Sequence, residues 1–247
     1  MNRDLYDPVK KNKILKMLDH CIGITTVSES LKEELIVHGV PPAKVAVIPN
    51  GVDISKFKVL DRSDCRSRLQ IDTANPVVVY VGRLSEEKSV TTLIEAAAAV
   101  ISGGQSLDVY LVGDGALKND LISQAETLGV RENVTFVGKV GHDEVSLWMG
   151  AADFFCLPSL REGCPNVILE ALGSGRPILA TKVGAIPDVV SDDSGILFEP
   201  EDVDGLVKTL GTAINRGWSE TVISHSVKGL SWEKAAEKYY HFYKKAV

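Results

Sequence analysis

Four charged side chains, Arg83, Lys88, Glu162 and Glu170, stand in sequence contexts that could bind a small anion carrying hydroxyl groups. Arg83 follows Gly82 at the end of the β-branched run VVVYVG, and Lys88 lies near the start of the next helical segment. Two cations beside a helix N-terminus make an anion site, because unpaired N–H groups and the helix dipole both face the ligand. The same charges would also serve as solvated surface, since Glu86 and Glu87 are near enough to pair with them. Glu162 and Glu170 are separated by seven residues. Pro165 suits a first helical position, where its missing N–H costs nothing. That places Glu162 in the loop before a helix and Glu170 in its second turn. The amides of Gly163, Cys164, Asn166 and Val167 would then face the same space. Carboxylates accept hydrogen bonds from paired hydroxyls, such as those of a ribose or hexose. Gly184 would let backbone approach a ligand closely. On the residues alone, a second reading stands level with this one: both acids could offset the helix dipole or pair with Arg161 and Arg176.

The elements that must position these groups are legible as an alternation. Apolar or β-rich runs fall at 21–27, 45–48, 77–81, 109–112, 134–137, 154–157, 177–180 and 196–198. Several are nearly continuous in apolar residues, as strands covered on both faces should be. Between them Leu93, Ala97, Val100 and Ile101 repeat at helical spacing. Leu117, Leu121, Ala125 and Leu128 do the same, as do Val203, Leu206, Val207, Leu210 and Ile214. The pattern predicts an α/β fold with a doubly wound, Rossmann-like parallel sheet and right-handed crossovers. Ligands then belong beyond the carboxyl ends of the strands. The turn-rich stretch PNGVDISKFK, 49–58, marks a boundary, with too few elements before it for an independent domain.

Bulk properties remove several classes. The 247 residues carry a net charge of −6, which argues against a nucleic-acid binder working through a broad basic face. Four scattered cysteines show neither CxxC pairs nor metal-ligand spacing, and read as free thiols in a reducing compartment. The N-terminus lacks the apolar core of a signal peptide, and no apolar run approaches a bilayer span. The expected setting is the cytoplasm, with contact at a membrane surface left open. The GDG at 113–115 lacks both the GxGxxG and the P-loop patterns, which weakens dehydrogenase and NTPase readings. Asp202-Val203-Asp204 resembles a metal-binding DxD, but its place before a helix makes Asp202 an N-cap, and no metal site is expected. His142 lies in a post-strand loop where it can border the cleft.

With those residues set out, a resemblance emerges. The segments VGRLSEEKSVTTLIEA, LVGDGALKNDL, VTFVGKVGHDEV and PSLREGCPNVILEALGSGRPILATKVGAIPD resemble the C-terminal donor domain of retaining GT-B glycosyltransferases, family 4 in particular. The earlier TVSESLKEEL and VPPAKVAVIPNGVDISKF are similar to the passage from the acceptor domain into the donor domain. Together they cover about four-fifths of the chain, in family order. The resemblance implies that Arg83 and Lys88 neutralise the donor pyrophosphate and that Glu170, second acid of an E-x7-E motif, binds the nucleotide ribose. It puts Glu162 near the donor sugar and makes Arg83, Lys88 and Glu162 the catalytic set. Gly82 and the loop Gly163, Cys164, Pro165, Asn166 and Val167 would line sugar and phosphate, while Val140 and Gly141 would contact the base. Two departures stand out: Ser89 where the family usually has glycine, and Gly184-Ala185-Ile186-Pro187-Asp188 where Gly-Gly and a glutamate are commoner.

The same resemblance implies a division into 1–57, the end of an acceptor domain with its hinge, 58–230, the donor domain, and 231–247, a helix returning to the first domain. The donor would be a nucleotide-diphospho-sugar, with no obligatory cofactor. A missing acceptor domain or partner chain would be needed for transfer. The aromatic final helix, with Trp232, Tyr239, Tyr240, Phe242 and Tyr243, could also support a dimer. Two other functions fit the same residues: a non-catalytic nucleotide-sugar-binding subunit and a GT-B sugar-nucleotide epimerase.

Overall fold

The computed structural model describes residues 8–246. Six parallel strands form one sheet: β3 (Val77–Val81), β4 (Asp108–Val112), β5 (Val134–Gly138), β6 (Phe154–Leu157), β7 (Ile178–Thr181) and β8 (Gly195–Phe198). Their spatial order is β5-β4-β3-β6-β7-β8. The chain thus builds outward from β3 in one direction, then returns to lay β6 against its other edge. β3 registers Val78 against Val109 and Phe154 alike.

Period-two alternation along β3 explains why both faces are covered. Val78 and Tyr80 enter a large core with Leu93, Ile94, Ile168, Leu172, Leu206 and Leu210, whereas Val77 and Val79 enter a smaller one with Cys65, Trp148 and Ala151. The larger core takes α4 (Val90–Ser102), α5 (Lys118–Thr127), α7 (Asn166–Gly173) and α9 (Val203–Asn215). The smaller takes residues of α3 (Arg62–Leu69) and α6 (His142–Ala151). Asp202 caps α9, its carboxylate accepting from the Gly205 amide at 2.8 Å.

The leading segment forms α1 (Pro8–Asp19), β1 (Ile24–Thr26), α2 (Glu29–Val37) and β2 (Val45–Val47), with β1 and β2 a separate parallel pair. The last helix, α11 (Trp232–Ala246), lies against it. Gly51 leaves no room for a Cβ beside the Ser231–Trp232 backbone, and Gly23 is close against the Phe242 ring. Val52 bridges Ser231, and its amide donates to the Leu230 carbonyl at 2.7 Å. No helix among the described residues is long and apolar enough to cross a membrane.

The amino ends of β3 and β6 are tied by ions. Asp153 accepts from the Val77 amide at 2.7 Å and from Arg66 at 2.6 Å, and pairs with Arg62 at 2.9 Å. Glu220, in the short helix α10 (Glu220–His225), holds Arg62 at 2.7 Å and the fully buried Arg176 at 2.8 Å. The polar stretch 61–68, which shows no apolar period, is helical for this reason: Asp61 caps it, and Arg62 and Arg66 face these acids. Removing one member of a buried pair strands the other's charge. Glu220→Gln is therefore expected to cost about 2–3 kcal/mol in denaturant unfolding, less than a fully buried pair because Glu220 is partly exposed. Ligand affinity at the opposite strand ends should be unchanged.

Candidate functional site

The strand order reverses between β3 and β6, so the loops leaving their carboxyl ends diverge and open a crevice. Arg83, Lys88 and Glu162 lie on these two loops. On the β3 side, Leu84 is fully buried in the core, which turns the neighbouring Arg83 outward. The Arg83 carbonyl accepts from the Tyr80 hydroxyl at 2.8 Å. The GDG turn after β4 packs directly on this loop: Leu84 N–H donates to Asp114 O at 3.0 Å and Gly82 N–H to Val112 O at 2.9 Å. A Cβ at Gly113 would strike the Gly82 carbonyl, and one at Gly115 the Leu84 carbonyl. Those glycines thus serve loop-on-loop packing.

Across the crevice the Leu160 amide donates to the Glu87 carbonyl at 2.8 Å. Lys88 Nζ reaches Glu162 Oε1 at 2.5 Å, with the Glu162 side chain only 9% exposed. Arg161 pairs with Glu87 at 3.7 Å and Arg176 with Glu220. Neither arginine therefore engages Glu162 or Glu170. Arg83 is exposed. A cleft of about 440 Å³ adjoins Glu162, lined on the other side by Ser30, Leu31 and Glu34 of α2.

Pro165 is the N-cap of α7, one residue before the helix begins at Asn166. The difference is small but has a cause: its ψ of 112° is extended, as capping requires, so the helical hydrogen bonds start with the next residue. The amides of Asn166 and Val167 open the first turn, where N–H groups have no acceptor within the helix. Asn50 holds the preceding loop, its Nδ2 donating to Asn166 Oδ1 at 2.8 Å and to the Cys164 carbonyl at 3.2 Å. Gly163 and Gly184 lie back to back, with Ala185 N–H donating to Gly163 O at 2.7 Å. Burial raises the Cys164 thiol pKa, which keeps it protonated.

Glu170, in the second turn of α7, faces a different neighbour. His142 Nε2 lies 3.2 Å from Glu170 Oε1, and Gly141 and Val140 immediately precede that histidine. Lys56 Nζ completes the group at 2.6 Å from His142 Nδ1 and 2.6 Å from Asp143 Oδ1. Lys56 escaped the sequence reading because it belongs to a turn-rich linker 86 residues before its histidine partner.

The arrangement defines an α/β domain with the Lys88–Glu162 pair spanning its topological switch point. The model for glycosyl transferases group 1 matches residues 75–216, and that for Glycosyltransferase Family 4 matches residues 1–56. The chain belongs to the glycosyl transferases group 1 family. It is 30% identical over 211 residues to D-inositol 3-phosphate glycosyltransferase from Mycobacterium sp. strain KMS, covering 82% of this chain and 47% of that protein. Sucrose-phosphate synthase from Thermosynechococcus elongatus shares the fold, with a TM-score of 0.83 at 24% identity over 97% of this chain and 62% of that one. Anabaena HepE in complex with UDP-glucose superposes with a TM-score of 0.69 at 25% identity, covering 92% and 62% of the two chains. The chain spans about half the length of the curated relatives it matches.

Two measurements probe this geometry. Burial raises the Glu170 pKa, against the smaller pull of His142 and Lys56. Folded Glu170 therefore keeps its proton to higher pH than the unfolded chain does, and stability falls as pH rises through that window. Glu170→Gln, which keeps the Oε1 acceptor, should be more stable than the parent at pH 7. The gain should vanish below the ordinary carboxylate range in pH-dependent unfolding. Gly184 has φ +57°, and a Cβ there would enter the Glu162 and Gly163 carbonyls. Gly184→Ala should cost about 2 kcal/mol or more in urea unfolding.

Proposed function

We propose that this chain is the donor-binding part of a retaining GT-B glycosyltransferase, and that the crevice between β3 and β6 holds a nucleotide-diphospho-sugar. The observation that carries the reading is the Lys88–Glu162 pair spanning the switch point, with Arg83 exposed on the β3 loop. HepE, described with UDP-glucose bound, supports the donor class. In this reading Arg83, Lys88 and the amides at the start of α7 take the pyrophosphate. Gly82 allows the phosphate close to the strand end. As the diphosphate arrives, Lys88 exchanges Glu162 for phosphate oxygens, freeing the Glu162 carboxylate to accept hydroxyls of the sugar. Glu170 takes the ribose, and Val140 and Gly141 border the base.

Catalysis would then be electrostatic. When the bond between the anomeric carbon and the diphosphate breaks, negative charge grows on the departing phosphate, where Arg83 and Lys88 would stabilise it. The acceptor hydroxyl would attack the face the diphosphate leaves, its oxygen bonding to the anomeric carbon while its proton passes to the departing phosphate oxygen. Acceptor recognition would belong to the part of the relatives that this chain does not match. The proposed division keeps 1–57 with that acceptor part, 58–230 as the donor domain and 231–247 as the returning helix, and predicts little or no transfer by this chain alone.

Calorimetry with UDP, GDP and ADP tests the reading. At least one should bind, and Arg83→Met or Lys88→Met should weaken it by about tenfold or more, since each removes a charge-assisted contact. Affinity should fall with added salt. A folded protein that binds none of the three would overturn the proposal.

A further inference from the structure

We propose that His142 is a positioning residue for Glu170, fixed in one tautomer by Lys56, and that this chain of contacts sets a preference for ribose over deoxyribose. The inference rests on the donor-site reading above, in which Glu170 receives the ribose. An ammonium group can only donate, so His142 Nδ1, 2.6 Å from Lys56 Nζ, must be the acceptor. The ring proton then sits on Nε2, 3.2 Å from Glu170 Oε1, where it donates to the carboxylate.

Each link is held from outside. The Asp53 carboxylate accepts from the Ser55 and Lys56 amides, fixing the turn that presents Lys56. Lys56 is anchored a second time by Asp143 at 2.6 Å. Phe57, only 1% exposed, meets the His142 ring edge-on at 5.5 Å between centroids. The remaining charged neighbour on the same helix, Glu144, is 3.4 Å from the Trp148 indole nitrogen. The imidazole thus has two polar partners on opposite edges and an aromatic wall. One Glu170 oxygen is committed to it, which leaves the other directed at ligand hydroxyls. Without the histidine a partly buried carboxylate would lose that orientation.

The test compares UDP, GDP and ADP with their 2′-deoxy and 3′-deoxy forms by calorimetry, in the parent chain, His142→Ala, His142→Gln and Lys56→Met. Circular dichroism serves as the folding control. For the nucleotide that binds, the parent should favour the ribose form over at least one deoxy form by about tenfold. His142→Ala should lower this ratio about fivefold, because the ribose form alone loses its oriented acceptor. His142→Gln retains an amide donor near the Nε2 position and should restore most of the ratio. Lys56→Met should lower it as well. An unchanged ratio in His142→Ala or Lys56→Met, an equal loss for ribose and deoxyribose forms, or failure of glutamine to rescue would each overturn the inference. Those results would leave the donor-site reading intact, provided the parent binds a nucleoside diphosphate. A parent that binds none would remove both.

Discussion

The right-handed crossover is the constraint on which the rest depends. Strand–helix–strand units in a parallel sheet turn one way only, so helices on opposite faces require the chain to build from β3 in both directions. Having laid β4 and β5 on one side, it must return to place β6 on the other. The loops leaving β3 and β6 carry Arg83, Lys88 and Glu162, and the Lys88–Glu162 pair joins one loop to the other. The site thus follows from handedness before any side chain is chosen.

What the side chains add is a counter-charge held ready. Glu162 is nearly buried, and burial of a lone carboxylate is costly. Lys88 offsets that cost, and in the proposed function the same lysine is the cation an incoming diphosphate would take. The opposite end of the sheet uses ions differently: Asp153, Glu220, Arg62, Arg66 and Arg176 pair with one another across several elements. One sheet therefore carries an extended ion network at its amino ends and a single cross-loop pair, Lys88–Glu162, at its carboxyl ends.

The sheet strands were legible in the sequence because strands covered on both faces read as apolar runs, and all six lie where those runs fall. Helix α3 was not, since its stability comes from a cap and from arginines whose acids lie far along the chain. The position of Glu170 in the second turn followed from Pro165 even though the helix starts one residue later. Spacing left open whether the two acids pair with Arg161 or Arg176, because pairing is a tertiary matter. The structure gives those arginines other partners. His142 was read as a residue that can border the cleft, but Lys56 was invisible for the same reason: nothing local in a lysine of a turn signals a partner beside α7.

The two departures from the family pattern have separate physical meanings. Gly184 sits at φ +57° against two carbonyls, a place for glycine alone, whereas Ala185 has φ −84° and asks for no glycine. A second glycine there is optional for the backbone. Ser89 is the opposite case. It adopts φ 45° and ψ 43°, the left-handed conformation that favours glycine. A side chain survives because it is small and its hydroxyl lies 3.0 Å from that of Thr92, a local bond that offsets part of the strain. The turn must be left-handed because it joins the short helical turn carrying Lys88 to α4. Backbone geometry beside the cation is thereby kept, and the serine hydroxyl is directed to Thr92 in the helix behind it.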